Sequence, residues 1–148
     1  MSYYTFDKEQ LINLEYSLNR EILKSNVTGA YFSTTLSGCN TRKYHGLLIC
    51  PIQNFGGEKH VLLSSLDETL IQNGSEFNLG IHRYQGGVYE PKGHKYIFNV
   101  EFDRIPKITY RVGGVVLGKE RLLVEKEQQV LVRYTLEDAN FPVLLRFK

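Results

Sequence analysis

Six consecutive side chains that can form hydrogen bonds stand in the segment SGCNTRKYHGLL, between a Ser-Gly turn signal and an apolar run. They extend from Asn40 to His45. If this stretch is extended, alternate side chains point to opposite sides, which places Asn40, Arg42 and Tyr44 together. An amide can bridge neighbouring hydroxyls, a guanidinium can fork onto hydroxyls or hold a carboxylate, and a tyrosine ring can cover the C–H face of a sugar. The pattern therefore indicates either one wall of a sugar-binding site or a polar structural corner.

His45 and a pair of adjacent carboxylates are the other candidates for chemistry. His45 precedes Gly46 and is either a core histidine with satisfied hydrogen bonds or a donor to a ligand. Asp67 and Glu68 lie between apolar segments, and glycoside hydrolysis uses two carboxylates. Because neighbouring residues of a strand point to opposite faces, these two cannot line one cleft without a bulge. The favoured interpretation is a polar corner in which Asp67 accepts backbone N–H bonds, and a functional role stays open.

Motifs that would indicate other chemistry do not occur in the sequence. It has no phosphate-binding glycine loop, no nucleophile elbow, no metalloprotease helix motif and no paired-cysteine motif. The four histidines are isolated from one another, and the spacing of Cys39 and Cys50 fits no zinc site. We therefore predict no cofactor and no metal, and we expect the cysteines to be reduced, partly buried thiols.

The charged residues are dispersed and nearly balanced. The formal net charge is +2, and the basic residues do not form a cluster that would bind phosphates. The opening residues MSYYTFDKEQ lack the basic start and apolar core typical of a signal peptide, and no apolar run approaches the ~20 residues that cross a bilayer. Neither nucleic acid nor a membrane is therefore an expected partner. The predicted location is the cytoplasm. One stretch predicts a solvated charged face, because basic and acidic side chains alternate there: Lys119, Glu120, Arg121, Glu125, Lys126 and Glu127.

The aromatic and β-branched residues predict a protein made of sheets. Ten Tyr and eight Phe, without Trp, lie mostly in alternating or β-branched segments. Asp7 and Gln10 resemble a capping box and predict a short helix over 8–13, after which Leu14, Tyr16 and Leu18 follow a strand period. Further strands are predicted near 30–36, 46–52, 60–65, 68–72, 96–102, 108–112, 115–124, 129–136 and 141–148.

Turn signals separate these strands at the spacing of an antiparallel sandwich. Asn73-Gly74 and Gly113-Gly114 can take the positive φ angles of tight turns. Along 96–102 the even-numbered residues are apolar and the odd-numbered ones more polar, which predicts one buried face. The fold class is therefore all-β, an antiparallel β-sandwich, in one domain over residues 1–148. An apolar strand at the chain end would be an unprotected edge, so we expect the natural chain to continue beyond Lys148.

Three stretches of the chain are distinctive, and in order they are EILKSNVTGAYFSTTLSGCNTRKYHGLL, LLSSLDETL and YEPKGHKYIFNVEFDRIPKITYRVGGVVLGKERLLV. Together they resemble the opening of the glycogen debranching enzyme family of bacteria and archaea, of the amylo-α-1,6-glucosidase type. The resemblance covers nearly the whole chain, and the string Asn-Thr-Arg-Lys-Tyr-His-Gly is its most specific part. The chain departs from the family at Ile22, where Trp is usual. It also departs at 26–31, where the family has a glycine-rich string and this chain keeps Asn26, Gly29 and Tyr31.

The resemblance implies a non-catalytic N-terminal module of a larger hydrolase. Family members have an N-terminal β-sandwich of the supersandwich type, followed by an (α/α)6 barrel whose acids hydrolyse α-1,6-glucosidic branches of glycogen. This chain would then be an incomplete N-terminal domain with no catalytic residue of its own. Its partners would be its own C-terminal catalytic domain and an α-glucan, either glycogen or a limit dextrin. Asn40, Arg42, Tyr44 and His45 match the family string and are the predicted substrate-binding residues.

Two other classes of function stay open on the sequence. A free-standing mutarotase-like sugar epimerase would use a histidine and a carboxylate for proton transfer, with His82 or His94 and Glu90 as candidates. A purely structural or carbohydrate-binding β-sandwich module would not influence catalysis. Exposed sheet edges also predict pairing with a second copy into a homodimer.

Overall fold

Short strands make up most of the structure, a computed structural model that describes residues 3–148. Within these residues, helix is confined to α1 (Lys8–Ile12), α2 (Leu14–Leu18) and two 3-10 turns, Gln53–Phe55 and Gly93–Tyr96. None of the described helices has the length and apolar character needed to span a membrane. The strands are β1 (Tyr4–Asp7), β2 (Glu21–Ser25), β3 (Tyr31–Thr35), β4 (Gly46–Ile52), β5 (Glu58–Leu63), β6 (Glu68–Gln72), β7 (Ser75–Asn78), β8 (His82–Tyr84), β9 (Val88–Glu90), β10 (Ile97–Phe102), β11 (Lys107–Val112), β12 (Val115–Leu123), β13 (Val130–Asp138) and β14 (Leu144–Phe147).

In the described part of the chain the strands form three sheets and one hairpin, and every pairing is antiparallel. The sheets have the orders β1-β10-β11-β12-β13, β2-β3-β4-β5 and β14-β6-β7, and β8 pairs with β9 alone. Apolar side chains of all three sheets and of α1 pack into one core. Its members include Leu11, Ile22, Phe32, Leu70, Val100 and Leu117. The predicted all-β antiparallel sandwich is therefore confirmed.

Two tight turns occur where the sequence predicted them, and both connect the strands of a hairpin. Gly113 and Gly114, with φ of +59° and +76°, connect β11 to β12. Asn73 and Gly74, with φ of +49° and +77°, connect β6 to β7. Positive φ at both central positions gives a turn whose twist matches that of the flanking strands, and Gly and Asn adopt it at the lowest cost.

The N-terminal segment contains a second helix where the sequence predicted a strand. Residues 14–18, which include Tyr16 between two leucines, form α2. The side chain of Asn13 accepts a hydrogen bond from the backbone N–H of Tyr16 at 3.1 Å. This N-cap stabilises the first helical turn, and it outweighs the apolar alternation that favoured a strand. The predicted capping box of Asp7 and Gln10 is confirmed at the start of α1.

β10 departs from regular alternation at its start. Its register against β11 shifts between Ile97 and Asn99, so Ile97 is buried and Phe98 is 39% exposed. The prediction of a single apolar face that includes Phe98 is therefore wrong. The Phe98 ring instead lies 4.6 Å from the guanidinium carbon of Arg111. A bulge changes which side chains face the core, and the residue pattern of this strand does not indicate that a bulge is present.

The predicted solvated charged face is partly wrong, because two of its side chains are buried in β12. Lys119 and Arg121 are 6% and 2% exposed, whereas Glu120 between them forms an ion pair with the exposed Arg133 of β13. Lys119 and Arg121 are two residues apart on β12, so their side chains share a face, and that face is the buried one. Residues 125–127 are exposed, as predicted.

The two cysteines lie inside the protein as free thiols. Neither Cys39 nor Cys50 has accessible surface, so they are more deeply buried than the sequence suggested. Burial raises the pKa of both thiols, for Cys39 against a smaller opposing effect of Arg83. Both side chains therefore behave as small neutral core residues.

Candidate functional site

The segment Asn40–His45 is a turn rather than an extended strand. The backbone N–H of His45 donates to the carbonyl of Arg42 at 3.1 Å, and Tyr44 takes a left-handed φ of +66°. A reversal of the chain at this point abolishes the simple alternation of side chains. The prediction that Asn40, Arg42 and Tyr44 share one face because the segment is extended is therefore wrong.

A carboxylate that the sequence analysis did not single out organises the turn. Glu21, at the start of β2, accepts from Arg42 Nη2 at 2.6 Å through Oε2. Its other oxygen, Oε1, lies 3.0 Å from Nε2 of His45. Each carboxylate oxygen thus has one donor. Recognising Glu21 required knowing that the start of β2 lies beside a turn more than twenty residues away, and no local signal in the sequence reports this.

Backbone hydrogen bonding fixes the tautomer of His45. The N–H of Thr41 donates to Nδ1 of the imidazole at 3.0 Å, so Nδ1 carries no proton and Nε2–H donates to Glu21. Arg42 Nε also lies 3.2 Å from Nε2, but two N–H groups cannot donate to each other. We therefore assign the imidazole bond to Glu21 and treat the Arg42 approach as a close contact.

The three side chains differ strongly in exposure. The side chain of His45 is 1% exposed, that of Glu21 is 31% exposed and that of Arg42 is 63% exposed. His45 therefore holds the carboxylate from inside the protein, and Arg42 contacts it from the solvent side. The imidazole is not itself available to a ligand in this arrangement.

A shallow groove of about 470 Å³ lies on the outer face of the β2-β3-β4-β5 sheet. We call it the tyrosine groove, because two tyrosine rings contribute to its wall. The residues that line it are Glu21, Leu23, Ser25, Gly29, Tyr31, Ser33, Arg42, Lys43, Tyr44 and Lys59. The β2–β3 register pairs Leu23 with Ser33 and Ser25 with Tyr31, so alternate residues of both strands present one continuous face.

Cations lie close to both tyrosine rings of the groove. Lys59 Nζ is 5.3 Å from the ring centroid of Tyr31, and Lys43 Nζ is 4.9 Å from that of Tyr44. Burial, with a further effect of Tyr44, raises the pKa of Tyr31. Its hydroxyl therefore stays protonated and can donate as well as accept a hydrogen bond.

Asn40 lies elsewhere and is occupied by the protein itself. Its Nδ2 donates to the carbonyl of Ser64 at 2.8 Å, and its Oδ1 accepts from Thr34 Oγ1 at 2.9 Å. Of the four predicted substrate-binding residues, the structure brings Arg42 and Tyr44 to the tyrosine groove. It places His45 behind the groove wall and Asn40 in a structural corner.

The adjacent carboxylates have separate partners. Asp67 Oδ2 lies 2.6 Å from His82 Nε2, while its backbone N–H and carbonyl pair with Lys148 at 3.0 and 2.9 Å. The Asp67 carboxylate thus binds an imidazole rather than the backbone N–H groups expected of a polar corner. Glu68 is 2% exposed and forms an ion pair with Lys119 inside the protein.

The histidines considered for an epimerase do not face the expected carboxylate. His82 and Glu90 are cross-strand partners in the β8–β9 hairpin, but His82 bonds to Asp67 and Glu90 lies 3.6 Å from Lys92 Nζ. His94 is buried, at 6% exposure. Neither histidine is thus paired with Glu90 for proton transfer. Residues 3–148 also contain no group of three or more His, Cys, Asp or Glu side chains that could hold a metal ion.

One of three comparisons with known proteins found a match. The sequence model of the family described as "Glycogen debranching enzyme N terminal" matches residues 20–148, which include Glu21 and the Asn40–His45 turn. The comparisons with curated proteins and with solved structures found no match. Because the family match covers most of its length, the chain belongs to the glycogen debranching enzyme N-terminal family.

Proposed function

We propose that this chain is a non-catalytic, glucan-positioning part of a glycogen debranching enzyme, and that the tyrosine groove holds an α-glucan. The observation that carries the proposal is the combination of Tyr31, Tyr44 and Arg42 in one open groove on the sheet face. Tyrosine rings cover the C–H faces of sugars, and a guanidinium donates to their hydroxyls. The family membership supports the same substrate class.

The lysines beside the tyrosines do not prevent stacking. An exposed cation–π contact contributes only about 0.5–1 kcal/mol. A glucose ring that covers Tyr44 or Tyr31 can therefore displace the nearby ammonium group, which remains within reach of sugar hydroxyls. The groove thus offers two aromatic surfaces surrounded by flexible donors.

The acid content of the groove favours positioning over hydrolysis. Glycoside hydrolysis ordinarily needs two carboxyl groups on either side of the scissile bond. Glu21 is the single carboxylate among the groove residues, and both of its oxygens already accept hydrogen bonds from Arg42 and His45. We therefore assign α-1,6 bond cleavage in the parent glycoside hydrolase to a separate C-terminal catalytic domain, beside which this module holds glycogen or a limit dextrin.

This role also bears on the location of the protein. Glycogen breakdown by such an enzyme would take place in the cytoplasm, where reducing conditions keep thiols unpaired. The two buried free thiols, Cys39 and Cys50, are compatible with that compartment.

Calorimetric titration of the chain with a linear malto-oligosaccharide and with a branched limit dextrin tests the proposal. Arg42→Ala and Tyr44→Ala are each expected to weaken glucan binding about tenfold, because each loses roughly 1.5 kcal/mol of contact. Tyr84→Ala is the matched control, since Tyr84 is a 55% exposed tyrosine on β8 outside the groove. Its affinity should equal that of the wild type.

The outcomes separate the alternatives. If the wild-type chain binds neither glucan, the module is structural. If Arg42→Ala and Tyr44→Ala bind as tightly as Tyr84→Ala does, glucan occupies another surface. In the intact debranching enzyme, the same two substitutions should raise KM for limit dextrin more than they lower kcat, as expected for residues that bind substrate without reacting with it.

A further inference from the structure

The largest fully buried side chain among residues 3–148 is that of Arg121. It lies on the inner face of β12, 2% exposed, with its guanidinium carbon 5.4 Å from the ring centroid of Phe32. Nε and Nη2 have no hydrogen-bond acceptor among the described residues. A guanidinium is always charged in proteins, and a buried cation without hydrogen bonds is strongly unfavourable.

The two unsatisfied atoms belong to the same edge of the guanidinium. Nε–H and the Nη2 N–H point in parallel and form the fork that binds carboxylates in a bidentate manner. Arg133, on the neighbouring strand, uses these same two atoms to bind Glu120 at 2.7 and 2.9 Å. Arg121 therefore presents to the interior the donor pair that Arg133 has satisfied with an anion.

The nearby charges do not provide a hydrogen-bond acceptor for the Arg121 fork, although the Glu68 carboxylate attracts the guanidinium. The buried Glu68 carboxylate forms an ion pair with Lys119 and accepts a hydrogen bond from Tyr134, both through Oε1. Asp67 is 35% exposed and bonds to His82, so solvent screens its charge. The deeply buried groups thus comprise two cations and one carboxylate.

Loss of the Lys119 proton is the other route to neutrality. Burial is the main effect that lowers the pKa of Lys119, and Arg121 lowers it further, while Glu68 opposes the change. Deprotonation of Lys119 would balance the charge but would still leave the Arg121 fork without an acceptor. An anion beside the fork would both balance the excess buried positive charge and accept the unsatisfied hydrogen bonds of Arg121.

A small cavity is present at this position. It has a volume of about 30 Å³, and its lining includes Arg121, Lys119, Tyr110 and the two acidic residues Asp67 and Glu68. Burial raises the pKa of the Tyr110 hydroxyl, which stays protonated and adds a possible donor. This volume suits one water or one ion of similar size, and it is too small for a sulfate or for a carboxylate with its carbon chain.

We propose that this cavity is a binding site for a single small monovalent anion, chloride or bromide, held by the Nε and Nη2 fork of Arg121. The anion balances the second buried cation and completes the hydrogen bonds of the guanidinium. It connects β12 of the five-stranded sheet to the facing sheet at the centre of the sandwich. The site is independent of the tyrosine groove and of glucan binding.

Thermal unfolding in sodium chloride and in sodium gluconate at equal ionic strength tests the proposal, because gluconate is too large for the cavity. Chloride should raise the Tm saturably, by about 4–5 °C at tenfold excess over its Kd. Arg121→Met should abolish the chloride-specific increase. Arg133→Met, which removes an exposed arginine with a satisfied fork, should retain it.

Crystals grown in bromide provide a measurement that does not depend on any variant. An anomalous peak within hydrogen-bond distance of Arg121 Nε and Nη2 is expected. Absence of that peak, together with equal Tm values in chloride and gluconate, would mean that water alone occupies the cavity and would overturn the proposal. A chloride-specific increase that persists in Arg121→Met would overturn it too. If Arg121→Met does not fold, the bromide crystals and the wild-type salt comparison decide.

Discussion

His45 connects the interior of the protein to the wall of the tyrosine groove. Its buried ring is held by the Thr41 N–H and in turn donates to Glu21. Arg42 is mostly exposed, and exposed ion pairs contribute only about 0–1 kcal/mol. The orientation of Glu21 therefore depends mainly on His45. Arg42 remains able to leave the carboxylate and contact a sugar at little cost.

His94 is a second buried histidine, with a different consequence. Burial, followed by the charges of Lys95 and Lys92, lowers the pKa of His94 from 6.5. The unfolded chain therefore binds a proton at higher pH than the folded chain, so this contribution to stability is complete above about pH 6.5 and decreases below it. We expect the free energy of unfolding of the wild type to fall on acidification below pH 6.5, down to the lower pKa of the folded state. His94→Phe should lose this part of the slope, as measured by urea unfolding over about pH 5–8.

A polar replacement of His94 distinguishes the effect of its titrating proton from the effect of the shape of its ring. His94→Gln also cannot titrate in this range, and it should show the same shallow pH dependence as His94→Phe despite a different absolute stability. If both variants keep the full wild-type slope, other groups cause the pH dependence and the role assigned to His94 is wrong.

Residue types identified the unusual segment but not its geometry. The run Asn40–His45 was recognisable from its composition, because six consecutive polar side chains fit neither a plain strand nor a plain loop. Its conformation was not recognisable from composition. Tyr44 adopts a positive φ, which is more typical of glycine or asparagine and which a tyrosine does not indicate. The role of Glu21 was not predicted, because it depends on the position of β2 relative to this turn.

The connection from β9 to β10 passes directly over another part of the backbone. A Cβ added at Gly93 would lie 2.1 Å from the Leu79 carbonyl oxygen, and the Gly93 N–H donates to the Gly80 carbonyl at 3.0 Å. Gly93→Ala should therefore destabilise the protein by about 3–5 kcal/mol or prevent folding, because both backbones would have to move. Chemical denaturation monitored by circular dichroism measures the loss.

A glycine in the β8–β9 turn provides the comparison. Gly86 has φ of +84° and open space around an added Cβ, so Gly86→Ala changes only the backbone preference. It should cost about 1–2 kcal/mol. Equal losses for the two variants would show that the close approach at Gly93 relaxes without cost.

Strands followed from the sequence wherever alternation and turn chemistry agreed. The β11–β12 hairpin combines apolar alternation with Gly-Gly, so both its strands and their connection were predicted. At the β6–β7 hairpin the strand β6 and the Asn73-Gly74 turn were predicted, but β7 was not. Prediction failed where a local feature opposed the periodicity, as with the Asn13 N-cap of α2 and the bulge at Ile97–Asn99 of β10. The short β1, β8 and β9 carry too few residues for a period to be recognised.

The long edge strand β13 is the part of the molecule most suited to self-association. It is the last strand of the five-stranded sheet and carries Leu131 and Leu136, which are 47% and 51% exposed. We propose that two chains pair through such an edge. Light scattering during size-exclusion chromatography should show a dimer that forms with increasing concentration.

A charge placed on the edge should disrupt this dimer. Leu131→Lys is expected to elute as a monomer, whereas Val27→Lys, at a 73% exposed turn position, should behave as the wild type. A wild-type monomer at every concentration would refute pairing through the sheet edge.

Long-range pairing was the part of the architecture that the sequence could not supply. β1 pairs with β10 across more than ninety residues, and β14 pairs with β6 across more than seventy. Such neighbours depend on packing of the complete core. The same limit explains why Lys119 and Arg121 were expected in solvent, since only the assembled sandwich shows which face of β12 is covered.

The deep burial of Cys39 and Cys50 makes the native chain resistant to thiol-modifying reagents. Alkylating agents react with thiolates, and both sulfurs are sealed from solvent with elevated pKa values. Labelling can proceed only during transient opening of the sandwich. The rate at which a maleimide modifies these two positions therefore reports how often the sandwich opens. This measurement needs no engineered probe and suits a chain without tryptophan fluorescence.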